Sequence, residues 1–188
     1  MEALPRRAGR RRVIRVVVTG SESTGKTTLA ERLAEHYGIE PVPEFVREFV
    51  AAKGAMPEFS DHGAIAGGQM ALEDAHAARS SGLVVQDTDL LSTVVYSRHY
   101  FDRVPEWIVE QARARRPDLY LLTEIDVPWV ADAQRDRGDR REEMQRLFRH
   151  AVAASGASWV AITGGWDERF ARAVHAIDAL VSTGEAAR

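Results

Sequence analysis

Gly20-Ser21-Glu22-Ser23-Thr24-Gly25-Lys26-Thr27 decides how the rest of this chain is read. It fits G-x-x-x-x-G-K-[S/T], the phosphate-binding P-loop, a pattern whose meaning depends on its flanks. Ahead of it, residues 13–19 form an apolar, β-branched run that reads as a buried strand. Behind it, Leu29, Leu33 and Tyr37 recur at helical spacing. Strand, glycine-bearing loop and helix start are the context that the motif requires.

The motif's chemistry follows from its residue types. Gly20 and Gly25 reach backbone angles that a Cβ would disfavour, so the loop can wrap its N–H groups around a phosphate chain. The helix N-terminus that follows favours negative charge. The backbone around Glu22, Ser23, Thr24, Gly25, Lys26, Thr27 and Thr28 is therefore expected to hold ATP. Lys26 would reach the β- and γ-phosphates, and the Thr27 hydroxyl would ligate Mg²⁺. The chain has only two lysines, Lys26 and Lys53, against twenty-three arginines, so a lysine at the motif position adds support.

At 188 residues the chain suits one domain with a sizeable core. Its net charge of −3 gives no global reason to bind nucleic acid. Residues 1–12, with Arg6, Arg7, Arg10, Arg11 and Arg12, read as a disordered basic tail, with a nucleic-acid or membrane-surface arm as the other reading. Residues 13–183 read as a single kinase-like domain. No apolar run approaches transmembrane length, and the basic start makes a poor secretory signal. With no cysteine, disulfides and thiolate catalysis are excluded. These features predict a cytoplasmic protein. The absence of Asn and Cys beside abundant Arg fits a heat-adapted source or a GC-rich genome equally well. Oligomeric state is not legible.

Along the chain, strands are expected at residues 13–19, 39–43, 83–86, 119–123 and 159–162, with helices between them. Gly38 should stop the P-loop helix, Asp61 cap a long helix, Asp89 or Thr88 cap residues 90–100, and Pro105 open another. Short apolar strands alternating with helices imply an α/β fold: a five-stranded parallel sheet covered on both faces, with a short Arg-rich lid after the fourth strand. Ligands should gather at the carboxyl ends of the strands.

A chain without asparagine cannot carry the Asn-Lys-x-Asp guanine motif of GTP switches. A small phosphotransferase fits better, and it must also bind an acceptor and exclude water. Glu44, just beyond the second strand, would take or orient the acceptor's hydroxyl proton, or else serve as a first-turn helix acid. Arg47, one turn on, would position substrate or pair with Glu44. Asp87 ends the third strand where a Walker-B carboxylate would hold Mg²⁺ through Thr27 and water, and is the fallback for the base. Asp89 would contact sugar hydroxyls or cap its helix.

Arg135, Arg137, Arg140 and Arg141 flank Gly138 in the lid segment. Guanidinium groups match phosphate oxygens, so one or two of them, Arg135 first and Arg140 second, are expected on the transferring phosphoryl group. The others would belong to a solvated, ion-paired face. Trp129 and Trp166 offer a flat heterocycle a stacking surface or else pack in the core, with Trp166 the adenine candidate. The six histidines show no metal-ligand spacing.

Together these segments resemble the nicotinamide riboside kinase domain of the bifunctional bacterial NAD-salvage regulators. The resemblance rests on the P-loop, Glu44-Phe45-Val46-Arg47-Glu48-Phe49, Gln69, Asp87-Thr88-Asp89 and Asp126-Val127-Pro128-Trp129-Val130-Ala131-Asp132. It implies ATP- and Mg²⁺-dependent phosphorylation of the ribose 5′-hydroxyl of nicotinamide riboside, with substrate against Glu44, Arg47, Gln69, Asp89 and Trp129. The chain departs from the family twice. No segment reads as the family's adenylyltransferase domain, so the product is expected to pass to another enzyme. Pro43 stands where some members carry a tryptophan before the glutamate. The rival readings are a kinase for another nucleoside or coenzyme precursor, and an ATP-binding regulatory module without acceptor phosphorylation.

Overall fold

A computed structural model of the chain describes residues 12–127 and 140–186. Strand β1 (Ile14–Thr19) runs into α1 (Lys26–Tyr37), then α2 (Phe45–Lys53), a 3-10 turn (Phe59–Asp61) and α3 (His62–Arg79). Strand β2 (Leu83–Asp87) precedes α4 (Leu90–Phe101) and α5 (Glu106–Ala114). Strand β3 (Leu119–Thr123) is followed by α6 (Arg141–Ala154), and β4 (Ser158–Ile162) by α7 (Trp166–Ala186). All pairings are parallel, in the order β2-β1-β3-β4. The chain steps from β1 to one side for β2 and to the other for β3, so the loop after β1 opens at the switch point where ligands bind in such sheets.

Side-chain alternation sorts the strands onto two cores. Val16, Val18, Leu119, Leu121 and Ile162 face α1 and α7, where Leu29, Leu33, Ala173 and Ile177 pack. Val17, Tyr120 and Leu122 face the other way, onto Val95 of α4 and Met144, Phe148 and Val152 of α6. A third cluster, Ala66, Leu90, Val94 and Ile108, joins α3, α4 and α5. Both faces are covered, so the strands read as unbroken apolar runs.

The sheet has four strands among the described residues, not the expected five. Residues 39–43 contribute only one parallel bridge, Val42 opposite Gln86. Val42 N donates to Val85 O at 2.9 Å, and Val42 O accepts from Asp87 N at 2.8 Å. Pro41 and Pro43 flank Val42 and have no N–H to extend the ladder. The bridge still sets Glu44 beside the carboxyl end of β2. The Arg-rich lid is not shown: Trp129, Arg135 and Arg137 lie outside the described residues, as do residues 1–11 of the basic tail. No described helix is long and apolar enough to cross a membrane.

Gly38 ends α1 in the left-handed conformation, its N–H bonding back to the last turn. Pro105 stands at the N-cap of α5, and Asp89 caps α4 by accepting from Leu91 N at 3.1 Å.

Candidate active site

A cavity of about 510 Å³ joins the P-loop to the space beneath α2. It is lined by P-loop residues 22–28, by Glu44, Arg47, Gln69 and Asp89, and by the apolar side chains of Val46, Val50, Met56, Ile65, Tyr96 and Phe101. One cavity thus brings the P-loop, charged side chains and apolar side chains together.

The P-loop is braced by side chains from three other elements. Thr24 Oγ1 donates to Ser21 O at 2.8 Å and lies 2.7 Å from Thr123 Oγ1 at the end of β3. Gln145 of α6 accepts from Ser21 N at 3.1 Å and donates to Thr123 O at 2.9 Å. Arg169 of α7 is buried; its guanidinium donates to Gly164 O, Thr24 O and Glu124 O and pairs with Asp126. Sequence reading passed over both residues. Their signal was a polar group on a buried helical stripe: Gln145 beside Met144, Phe148 and Val152, and Arg169 in line with Ala173 and Ile177.

Lys26 Nζ donates to Ser21 O at 2.7 Å inside the loop. Burial lowers its pKa, opposed by the nearby carboxylates of Glu44 and Asp87. A phosphate chain would favour the charged form in the same way.

Thr27 Oγ1 donates to Asp87 Oδ2 at 2.6 Å, so the first turn of α1 and the end of β2 meet as the P-loop reading requires. Asp87 Oδ1 is buried and has no hydrogen-bond partner among the described residues. Burial, reinforced by Glu44, raises the Asp87 pKa. An orphaned carboxylate oxygen beside a hydroxyl is a hard-donor pair suited to Mg²⁺. The positive φ of Thr88, +66°, separates the two acids of Asp87-Thr88-Asp89. That conformation is strained for a β-branched residue. Asp87 faces the P-loop, whereas Asp89 caps α4 and accepts from Tyr120 OH at 2.6 Å. Burial pushes the Asp89 carboxyl up to about 6.

Glu44 Oε2 accepts from Arg47 Nε at 2.8 Å, and Arg47 Nη2 lies 3.5 Å from Thr27 Oγ1. Arg47 pairs with Glu44, one of its two expected roles, and it also lines the cavity. Gln69 Oε1 accepts from Phe45 N at 2.9 Å. Of the described lid arginines, Arg140 is exposed at the N-terminus of α6. Arg141, one residue on, donates from Nη2 to Ser23 O at 3.1 Å. Burial, then the charge of Arg169, lowers the Arg141 pKa. Trp166 is half-exposed at the start of α7, with its ring against Gly25. A Cβ on Gly25 would lie 2.5 Å from that ring, and the φ there is +81°. Among the described residues no three of His, Asp and Glu cluster as a metal cage.

A family model described as an AAA domain matches residues 15–169. The trifunctional NAD biosynthesis/regulator protein NadR of Escherichia coli (strain K12) is 28% identical over 169 residues, covering 86% of this chain and 41% of NadR. A crystal structure of a NadR protein in complex with NR superposes with a TM-score of 0.69 at 26% identity, covering 88% of this chain and 50% of that one. A NadR protein in complex with NAD and AMP-PNP gives 0.66 at 27% identity, covering 88% and 48%. The chain spans about half the length of these relatives or less. With the P-loop seated at the switch point of a parallel sheet, and with residues 15–169 matched, this chain belongs to the AAA domain family, carries a P-loop kinase-like fold and is similar to NadR.

Proposed function

We propose that the chain is an ATP- and Mg²⁺-dependent kinase that phosphorylates the ribose 5′-hydroxyl of nicotinamide riboside. The observation that carries this reading is the continuity of the cavity. Glu44 lines the same cavity of about 510 Å³ as P-loop residues 22–28 and the apolar side chains Val46, Val50 and Ile65, so an acceptor and a phosphate chain share one space. Similarity to NadR proteins in complex with NR and with AMP-PNP supports the choice of ligands.

In this mechanism the P-loop amides and Lys26 bind the β- and γ-phosphates of ATP, and Trp166 stacks on the adenine. Thr27 and Asp87 hold Mg²⁺, which neutralises charge on the phosphate oxygens when bound. Glu44 orients the acceptor hydroxyl and takes its proton as the phosphoryl group moves. Arg47 holds the Glu44 carboxylate in place. Arg141 is assigned to the γ-phosphate in preference to Arg140, supported by the hydrogen bond from its Nη2 to Ser23 O of the P-loop. Asp89 is committed to α4 and Tyr120, so it shapes the wall more than it grips a sugar. Arg135 keeps its assignment from the guanidinium chemistry of the Arg-rich segment, and Trp129 from the resemblance.

Pro43 favours a second reading, another nucleoside as acceptor, because no tryptophan precedes Glu44 to stack on a nicotinamide ring. A panel of nucleosides with ATP and Mg²⁺, with products identified by mass, separates the two. Nicotinamide mononucleotide as the dominant product is expected. Strong turnover of another nucleoside with none of nicotinamide riboside overturns the acceptor. Acceptor-independent hydrolysis alone overturns the kinase reading.

A further inference from the structure

Glu44 stands at the N-cap of α2, yet its side chain makes no capping hydrogen bond. An N-cap side chain ordinarily satisfies one of the first helical N–H groups. The Glu44 carboxylate instead accepts from Arg47 and borders the cavity. The cap is supplied by another helix. Gln69 of α3, 4% exposed, accepts from the N–H of Phe45, the first residue of α2, at 2.9 Å.

A second contact holds the same turn. The ring of Phe45 lies flat against Gly68, where a Cβ would come within 2.1 Å of it. Glycine inside a helix costs about 1 kcal/mol relative to alanine, so packing is the physical reason for it here. The other end of α2 is tied by Lys53, whose Nζ lies 2.5 Å from Asp61 Oδ2, so the first turn depends on α3. None of its residues is fully buried, and it packs chiefly on α3.

We propose that Gly68 and Gln69 are positioning residues for Glu44. They dock the first turn of α2 onto α3 and relieve the Glu44 carboxylate of capping, leaving it aimed at the acceptor hydroxyl. The proposal rests on the reading of Glu44 given above. It differs from the role that the resemblance implies for Gln69, a direct contact with substrate.

Three variants test it in the full chain beside Glu44→Gln. Gly68→Ala displaces the Phe45 ring, and Gln69→Leu removes the acceptor oxygen at similar volume. Each should lower kcat roughly 10- to 100-fold, the scale expected for a small misplacement of a reacting group, while ATP affinity stays unchanged. Neither should lower it further in the Glu44→Gln background, because both act through that carboxylate. Gln69→Glu, which restores an oxygen to accept from Phe45 N, should recover part of kcat. Losses that multiply with Glu44→Gln overturn the proposal, as does a rise in acceptor KM with kcat intact. Amide exchange at Phe45 reads the dock without turnover. Faster exchange in Gln69→Leu is expected, and unchanged protection overturns the dock. If Glu44→Gln alone keeps full turnover, the reading of Glu44 fails and the positioning role fails with it. The docking contact then stands or falls on the Phe45 exchange.

Discussion

The Arg169 guanidinium donates to the Thr24 carbonyl at 2.9 Å, tying the last helix of the fold to the centre of the P-loop. The same side chain holds Gly164 O and Glu124 O at 2.9 and 2.8 Å. It is 1% exposed, so its charge and donors are satisfied by these carbonyls together with the carboxylate of Asp126. Arg169→Lys cannot span three carbonyls with one ammonium group. The substitution should destabilise the protein by about 3 kcal/mol or more, read as a lowered thermal midpoint, and weaken ATP binding. Saturating ATP should recover part of the midpoint through linkage.

Trp166 closes one side of the P-loop at Gly25. Stacking of a base on an aromatic ring is worth about 1–3 kcal/mol. Trp166→Ala should therefore raise the KM for ATP about 10-fold or more with little change in kcat, and Trp166→Phe should lie near wild type. Equal ATP KM values for all three proteins would remove the adenine from this ring.

The two described arginines at the start of α6 separate cleanly. Arg141→Ala should lower kcat roughly 100-fold, the loss typical of one preorganised charge at a transition state. Arg140→Ala, at an exposed position, should be nearly silent. Steady-state kinetics with ATP and the best acceptor decides. The reverse ranking would return the role to Arg140.

A buried acid sets a pH dependence of stability. Burial, then the neighbouring Asp89, pushes Glu73 up to about 7, against the pull of Arg115 at 3.3 Å. Its folded pKa lies above its unfolded value of 4.5, so the folded state binds the proton more tightly. That contribution is fully present below pH 4.5 and is lost as pH rises through 7. Asp89, raised to about 6, acts in the same direction. Glu73→Gln should gain on the order of 1–3 kcal/mol over wild type at pH 8 and little at pH 4.5. Thermal melts across this range check it. An equal gain at both ends would show that Glu73 does not titrate in the window.

Much of the fold could be read directly. Residues 16–18, 83–85 and 119–122 are apolar on both faces, the pattern expected of strands in a doubly covered sheet. The P-loop needed only its own spacing and flanks, and Asp87 and Asp89 were legible as the polar end of a buried strand. Residues 39–43 misled because their composition is extended. Two prolines make an extended segment without the donors for a ladder, and the outcome turned on which neighbour Val42 met.

The local order of residues determined the phosphate loop, the strands that bracket it and the capping of α4, because each depends on contacts a few residues apart. Tertiary structure decided which distant side chains brace that loop and which partners each site carboxylate meets. Gln145 reaches Ser21, Arg169 reaches Thr24 and Gln69 reaches Phe45 across separations of 124, 145 and 24 residues. No periodicity encodes such pairings. They arise when buried donors and acceptors, brought together by packing, must find partners away from water.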